Sequence, residues 1–274
     1  MTGFTVLDET HRNAGLRDRI LGILDTVAPH VAQTTGLPLP AEIRYRLLTP
    51  NRWRTEHRHI TRRVLDRDIT DLKLTPQEIS RTRKRVRTAG LIPVLTWPFT
   101  PTDTHQAADG QHETILTPTA WRHAGLLVDE PALHQVVTHA LVHHLQAEAR
   151  NSTVWKTFFP DKRGMSDVPH RSPAFVLEGH AHWADQQITR RLFGTPADHR
   201  HAPKSWRYRL HHSLPAIHRL GPSRAAYEKG TALIARAVEA HGTHVVNRVW
   251  KDISLLPTAE EIADPDVWVR RLWI

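Results

Sequence analysis

Hydrophobic positions along this 274-residue chain change period several times, and the changes mark out its elements. In "LRDRILGILDTVAPHVAQTTGLP" the apolar residues recur at helical spacing and stop before Gly36 and Pro38, which predicts a helix followed by a turn. "AEIRYRLLTP" alternates with period two and predicts a strand ending at Pro50. From Asn51 to about Leu72 the helical period returns. Another helix is expected from Thr75-Pro76, with Thr75 as N-cap and Glu78 completing a capping box. "LIPVLTWPF" is an apolar segment broken by prolines, and "TPTDTHQAADGQ" reads as a loop that turns at Asp109-Gly110. "QHETILTP" reads as a short strand.

Beyond it the pattern is almost wholly helical. Asp129 and Pro131 open a helix that runs to about Arg150, and "AFVLEGHAHWADQQITRRLFG" forms another that ends at Gly194. "SRAAYEKGTALIARAVEAHG" follows with Gly242 as its cap, then a capped segment from "PTAEEI". The stretches "FPDKRGMSDVPHRSP" and "TPADHRHAPKS" read as loops. Strands collect in the first half and helices in the second, so the fold class is α+β. No linker divides the chain. It is expected to be one domain, with a small mixed lobe over residues 1–128 and a helical lobe over 129–274.

Composition narrows the chemistry. There are no cysteines, which excludes disulfides and thiolate metal sites, so any metal must be held by His, Asp or Glu. The N-terminus lacks the apolar core of a signal peptide, and no stretch is long and apolar enough to span a bilayer. A cytoplasmic protein with no membrane partner is the expectation. The net charge is +9, carried mainly by arginine and concentrated in "EIRYRLLTPNRWRTEHRHITRRVLDRD" and "SRTRKRVRTAG". Such runs are read as solvated faces or as a surface for an acidic partner. Neither carries the signature of a nucleic-acid module, so nucleic acid is not the expected partner.

The segment "VVTHALVHHLQ" holds the candidate chemistry. His139 and His143 are four apart, so a helix aims both imidazoles at one point, within reach of an ion that takes ligands at about 2.0–2.1 Å. Glu178, in "LEGHAHWAD" on the next expected helix, is the best third ligand and leaves one position open. With 21 histidines in the chain, a pair at this spacing also arises readily by chance. His144 points about 100° away from His143 on a helix and is not expected to act as a base.

Taken together, "HALVH", "EGHAHW", "YEKG" and "LPTAEEIADPDVW" resemble, in order and rough spacing, the motifs of the gluzincin class of zinc metallopeptidases, over about residues 110–270. The resemblance implies a zincin-like fold with the zinc site in a cleft between the lobes, and zinc on His139, His143 and Glu178. It implies Asp185, or its rival His182, as the group that orients a ligand histidine. It further implies Tyr227 as a stabiliser of the oxyanion, and "HETILTP" as the edge strand that receives an extended peptide. The family's general base follows the first histidine, and here that position is Ala140, which cannot accept a proton. The expected function is that of a zinc endopeptidase, such as a leader-peptide processing enzyme, in a base-less form. An engineered replacement of the glutamate accounts for the intact neighbouring motif positions. Alternatives are a natural zinc-binding pseudoprotease that binds peptide, or a basic nucleic-acid-binding helical protein.

Overall fold

The computed structural model describes residues 2–89, 97–100, 102–150, 156–159, 162, 173–198, 202–212 and 224–273. Most of the proline-broken segment, nearly all of the loop over 159–173 and part of the loop over 195–205 lie outside the described residues. Strands β1 (Gly3–Asp8), β2 (Glu42–Leu47), β3 (Thr102–Gln106) and β4 (His112–Leu116) form one sheet in the order β1-β2-β4-β3. β1, β2 and β4 run parallel, and β3 pairs antiparallel to β4. The helices are α1 (Ala14–Thr35), α2 (Pro50–Asp71), α3 (Pro76–Ala89), α4 (Pro118–His123), α5 (Glu130–Ala149) and α6 (Pro173–Phe193). Then come α7 (Trp206–His212), α8 (Arg224–His241), α9 (Thr243–Val246), α10 (Ala259–Ala263) and α11 (Pro265–Trp273). The protein is thus mixed and mostly helical, with its sheet drawn from the first half of the chain.

Local rules explain most boundaries. α1 buries Ile20, Ile23, Leu24, Val27, Ala28 and Val31 on one stripe, and Gly36 closes it at φ 67°, a left-handed cap that a side chain would strain. The Asp129 carboxylate accepts from the Ala132 amide at the start of α5. Thr75 and Glu78 form the expected capping box, the Thr75 amide donating to Glu78 Oε2 at 2.7 Å and the Glu78 amide to Thr75 Oγ1 at 3.3 Å. Thr258 and Glu261 form another.

Two strand expectations are corrected. "HETILTP" is not an edge strand, because β4 lies between β2 and β3 and pairs with both. The edge beside it is β3, in a stretch read as loop, and β1 forms the other edge. β3 has no apolar residue to mark it, and its polar side chains meet polar partners instead. Thr104 Oγ1 lies 2.7 Å from Thr114 Oγ1, and His105 Nε2 lies 3.1 Å from Glu113 Oε1. The turn after it is at Asp109-Gly110, with Gly110 at φ 85°.

α5 is buried nearly all round, as befits a central helix. It packs against α1, α6 and strands β3 and β4, and α8 lies along α6. One apolar core runs from Val6 to Leu272 and so draws on both sides of residue 128. A small cluster of Leu48, Trp53, Ile60 and Ile115 seats α2 on the other face of the sheet. Among the described residues no helix is long and apolar enough to cross a membrane.

Candidate metal centre

The two histidines on α5 stand with ring centroids 4.8 Å apart and planes at 85°. Their Nε2 atoms are 3.2 Å apart, and α6 brings Glu178 Oε2 to 3.2 Å from His139 Nε2 and 3.8 Å from His143 Nε2. A tetrahedral ion with bonds of about 2.0–2.1 Å keeps its ligand atoms roughly 3.3 Å apart. The triangle therefore has the size such an ion requires.

Hydrogen bonds on the far side of each ring fix what faces inward. His139 Nδ1 lies 2.9 Å from Asp185 Oδ2, an acceptor, so the proton is on Nδ1. His143 Nδ1 lies 2.8 Å from Gln146 Oε1. That amide must present its oxygen there, because its nitrogen donates to Leu177 O at 3.0 Å and lies 3.1 Å from His180 Nδ1. Both Nε2 atoms thus turn lone pairs towards a carboxylate oxygen. Three acceptors facing one point repel unless a positive charge sits among them, and that requirement is the best evidence that the site fits a cation.

In the metal-free site that charge is a proton. Burial opposes charging His139, but Asp185 and Glu178 outweigh it and push its pKa up to about 10. Burial, reinforced by the neighbouring charge of His139, pulls His143 down to about 4 despite the opposing pull of Glu178. Burial alone would raise Glu178, yet the hydrogen bond from His139 and the charge of both imidazoles hold it at about 2. The triad is only partly covered, with side-chain exposures of 16%, 17% and 19%, so an open side remains.

Of the two groups weighed for orienting a histidine, Asp185 touches His139. It is buried, and Gln135 Nε2 donates to its other oxygen at 3.2 Å. His182 reaches Asp185 at 3.4 Å and does not join the triad. His139, His182 and Asp185 also lie close enough to hold an ion, but the contacts to Asp185 already account for their grouping.

Tyr227 arrives from α8. Its ring centroid is 6.1 Å from that of His139, and its hydroxyl lies near the Glu178 carboxylate. Burial and then the Glu178 charge raise its pKa well above the ordinary phenol value, so it is a neutral donor. Two glycines allow this approach. A Cβ on Gly179 would lie 2.3 Å from the Gly230 carbonyl carbon, and one on Gly230 would lie 2.2 Å from Phe175 O. Backbone meets backbone at this crossing of α6 and α8, one turn beyond Tyr227.

Ala140 is fully buried within the main core and offers no proton acceptor. His144 turns to the sheet, where it stacks on Tyr45 at 5.6 Å and lies 2.9 Å from Thr114 Oγ1, out of reach of the triad. Gln135 and Gln146 escaped the sequence reading. Their spacing was the available signal, four residues before His139 and three after His143 on the same helix.

A family model described as zincin-like metallopeptidase matches residues 204–269, a stretch that includes Tyr227 and Gly230 but none of the triad. Over the whole fold the chain is similar to a crystal structure from Chloroflexus aurantiacus described as "a putative hydrolase with a novel fold". The TM-score is 0.60 with 18% identity, covering 95% of this chain and 91% of that one. At that identity the likeness concerns the fold. No protein of curated function matches.

Proposed function

We propose that this chain is a zincin-like metallopeptidase in a base-less form. His139, His143 and Glu178 hold one zinc ion, and a peptide or protein is the partner. The observation that carries the reading is the triangle of three inward-facing acceptors, each held in place by its own structure. When bound, the ion would polarise a substrate carbonyl and activate water for its hydrolysis. Asp185 and Gln146 keep both histidines in the tautomer that presents Nε2. Tyr227 stands beside Glu178 at the open side, where a phenol can turn to a developing oxyanion.

What is missing is a side chain to take a proton from water and return it to the leaving amine. Position 140 holds only a methyl group, so hydrolysis by this chain is expected to be very slow. The test is zinc-loaded Ala140→Glu against a peptide library. Cleavage that a chelator abolishes is the expected result. A folded, zinc-loaded variant that cuts nothing overturns the peptidase reading in favour of a second one, zinc-dependent peptide binding without cleavage. The complete burial of Ala140 in the core favours that second reading, since a glutamate there would have to enter apolar surroundings.

A further inference from the structure

α3 carries Arg81, Arg83, Lys84, Arg85 and Arg87, all exposed, and Thr82 is the only buried side chain described on it. Its single acid, Glu78, already binds Thr75 and lies 3.1 Å from Lys162. Among the described residues none of the five cations has a hydrogen-bond or ion-pair partner. At about 100° per residue, Thr82 and Val86 turn inward with Ile79, and the cations cover the remaining arc. Cations this close along a helix repel one another, and a partner that supplies carboxylates relieves the repulsion.

A groove of about 460 Å³ runs along this helix, lined by Pro76, Ile79, Ser80, Arg83 and Arg87. Pro76 and Ile79 give it apolar lining, and Ser80, Arg83 and Arg87 follow one another along the same face. We infer that this face of α3 is a docking surface for an acidic polypeptide segment with apolar side chains spaced among its carboxylates. Three observations select that occupant. The groove offers apolar contact as well as charge, which a sugar-phosphate backbone does not use. α3 presents no aromatic ring on which a base could stack. Its apolar residues, Pro76, Ile79, Val86 and Ala89, are also too few among 14 to insert the helix into a membrane. The inference extends the peptide reading above, but the groove shares no residue with the triad and does not need the metal.

Fluorescence anisotropy of the zinc-loaded full chain tests it with a labelled glutamate-rich peptide carrying interspersed leucines, its glutamine counterpart, and a short DNA duplex. The acidic peptide should bind, weaken with added salt, and bind roughly tenfold or more weakly to the Arg83→Glu/Arg87→Glu variant. Arg83→Gln/Arg87→Gln should show a smaller loss, and the glutamine peptide should not bind. Glu178→Ala, which removes a zinc ligand, should leave this binding unchanged. Peptide affinity indifferent to both arginine pairs overturns the inference. So does a duplex that binds more tightly than the peptide through the same arginines. Peptide binding lost in Glu178→Ala but not in the arginine variants would keep the peptide reading at the metal site and discard this surface.

Discussion

Gly230→Ala isolates the helix crossing on which the site's third side depends. In an ordinary helix interior alanine is better than glycine by about 0.8–1.0 kcal/mol, so propensity alone predicts stabilisation. The crossing opposes it. The added Cβ would lie 2.2 Å from Phe175 O and 2.9 Å from the Gly179 Cα, so an ordinary contact of 3.4 Å requires the helices to part by more than 1 Å. Neither obstacle is a side chain that can rotate away. Overpacking of this kind costs about 3 kcal/mol, the upper end of the usual range, so the net loss is about 2 kcal/mol. For a chain of this size that lowers the melting temperature by roughly 4–8 °C. Gly22→Ala in α1 is the control, since a Cβ there meets nothing within 4 Å and should stabilise. The assay is thermal unfolding of both variants by circular dichroism, with zinc content measured in parallel. Zinc should be retained in Gly230→Ala, because the three proposed ligands sit on α5 and α6. If Gly230→Ala raises the melting temperature as Gly22→Ala does, the close approach of α6 and α8 is wrong.

Asp185→Asn offers His139 Nδ1 an amide in place of a full acceptor and should weaken zinc by about 10- to 100-fold in a competition titration with a chromophoric chelator. Unchanged affinity would remove Asp185 from the site. Gln146→Leu should weaken zinc in the same assay and also lower the melting temperature, since it frees His143 and cuts the tie from α5 to the Leu177 carbonyl. A change in neither would refute its double role. Burial, helped by neighbouring histidine charges, depresses both His144 and His180 to about 3, so the folded state keeps them neutral where the unfolded chain, near 6.5, takes up protons. Their contribution is therefore complete above pH 6.5 and falls as the pH drops towards 3, by about 1.4 kcal/mol per pH unit for each group. Denaturant midpoints that stay flat from pH 7 to pH 5 would contradict this.

The helices were legible because period and caps agreed. Thr75 with Glu78, Asp129, and Gly36 mark ends that the structure places within a residue or two. The sheet was less so. β3 is bound through Thr104 and His105, whose partners Thr114 and Glu113 identify themselves only once the strands are side by side. β1 buries only Val6, whereas β2, of equal length, buries every second residue, so only β2 shows a clear alternation. At the site, the spacing of His139 and His143 and the sequence around Glu178 carried enough information to bring all three together. Seven residues from Glu178 to Asp185 is two helical turns, which explains why both meet His139 from α6. Gln135 and Gln146 could not, because a glutamine acts here only through what each end of its amide touches. The reason for Gly179 and Gly230 likewise appears only where two helices cross.

The claim that His139, His143 and Glu178 together hold one zinc is tested most directly by metal analysis of the purified, tag-free chain beside Glu178→Ala. The account predicts about one zinc per chain in the parent after loading and dialysis, and loss of that zinc in the variant. A parent that retains no zinc, or a variant that retains as much as its parent, would contradict it.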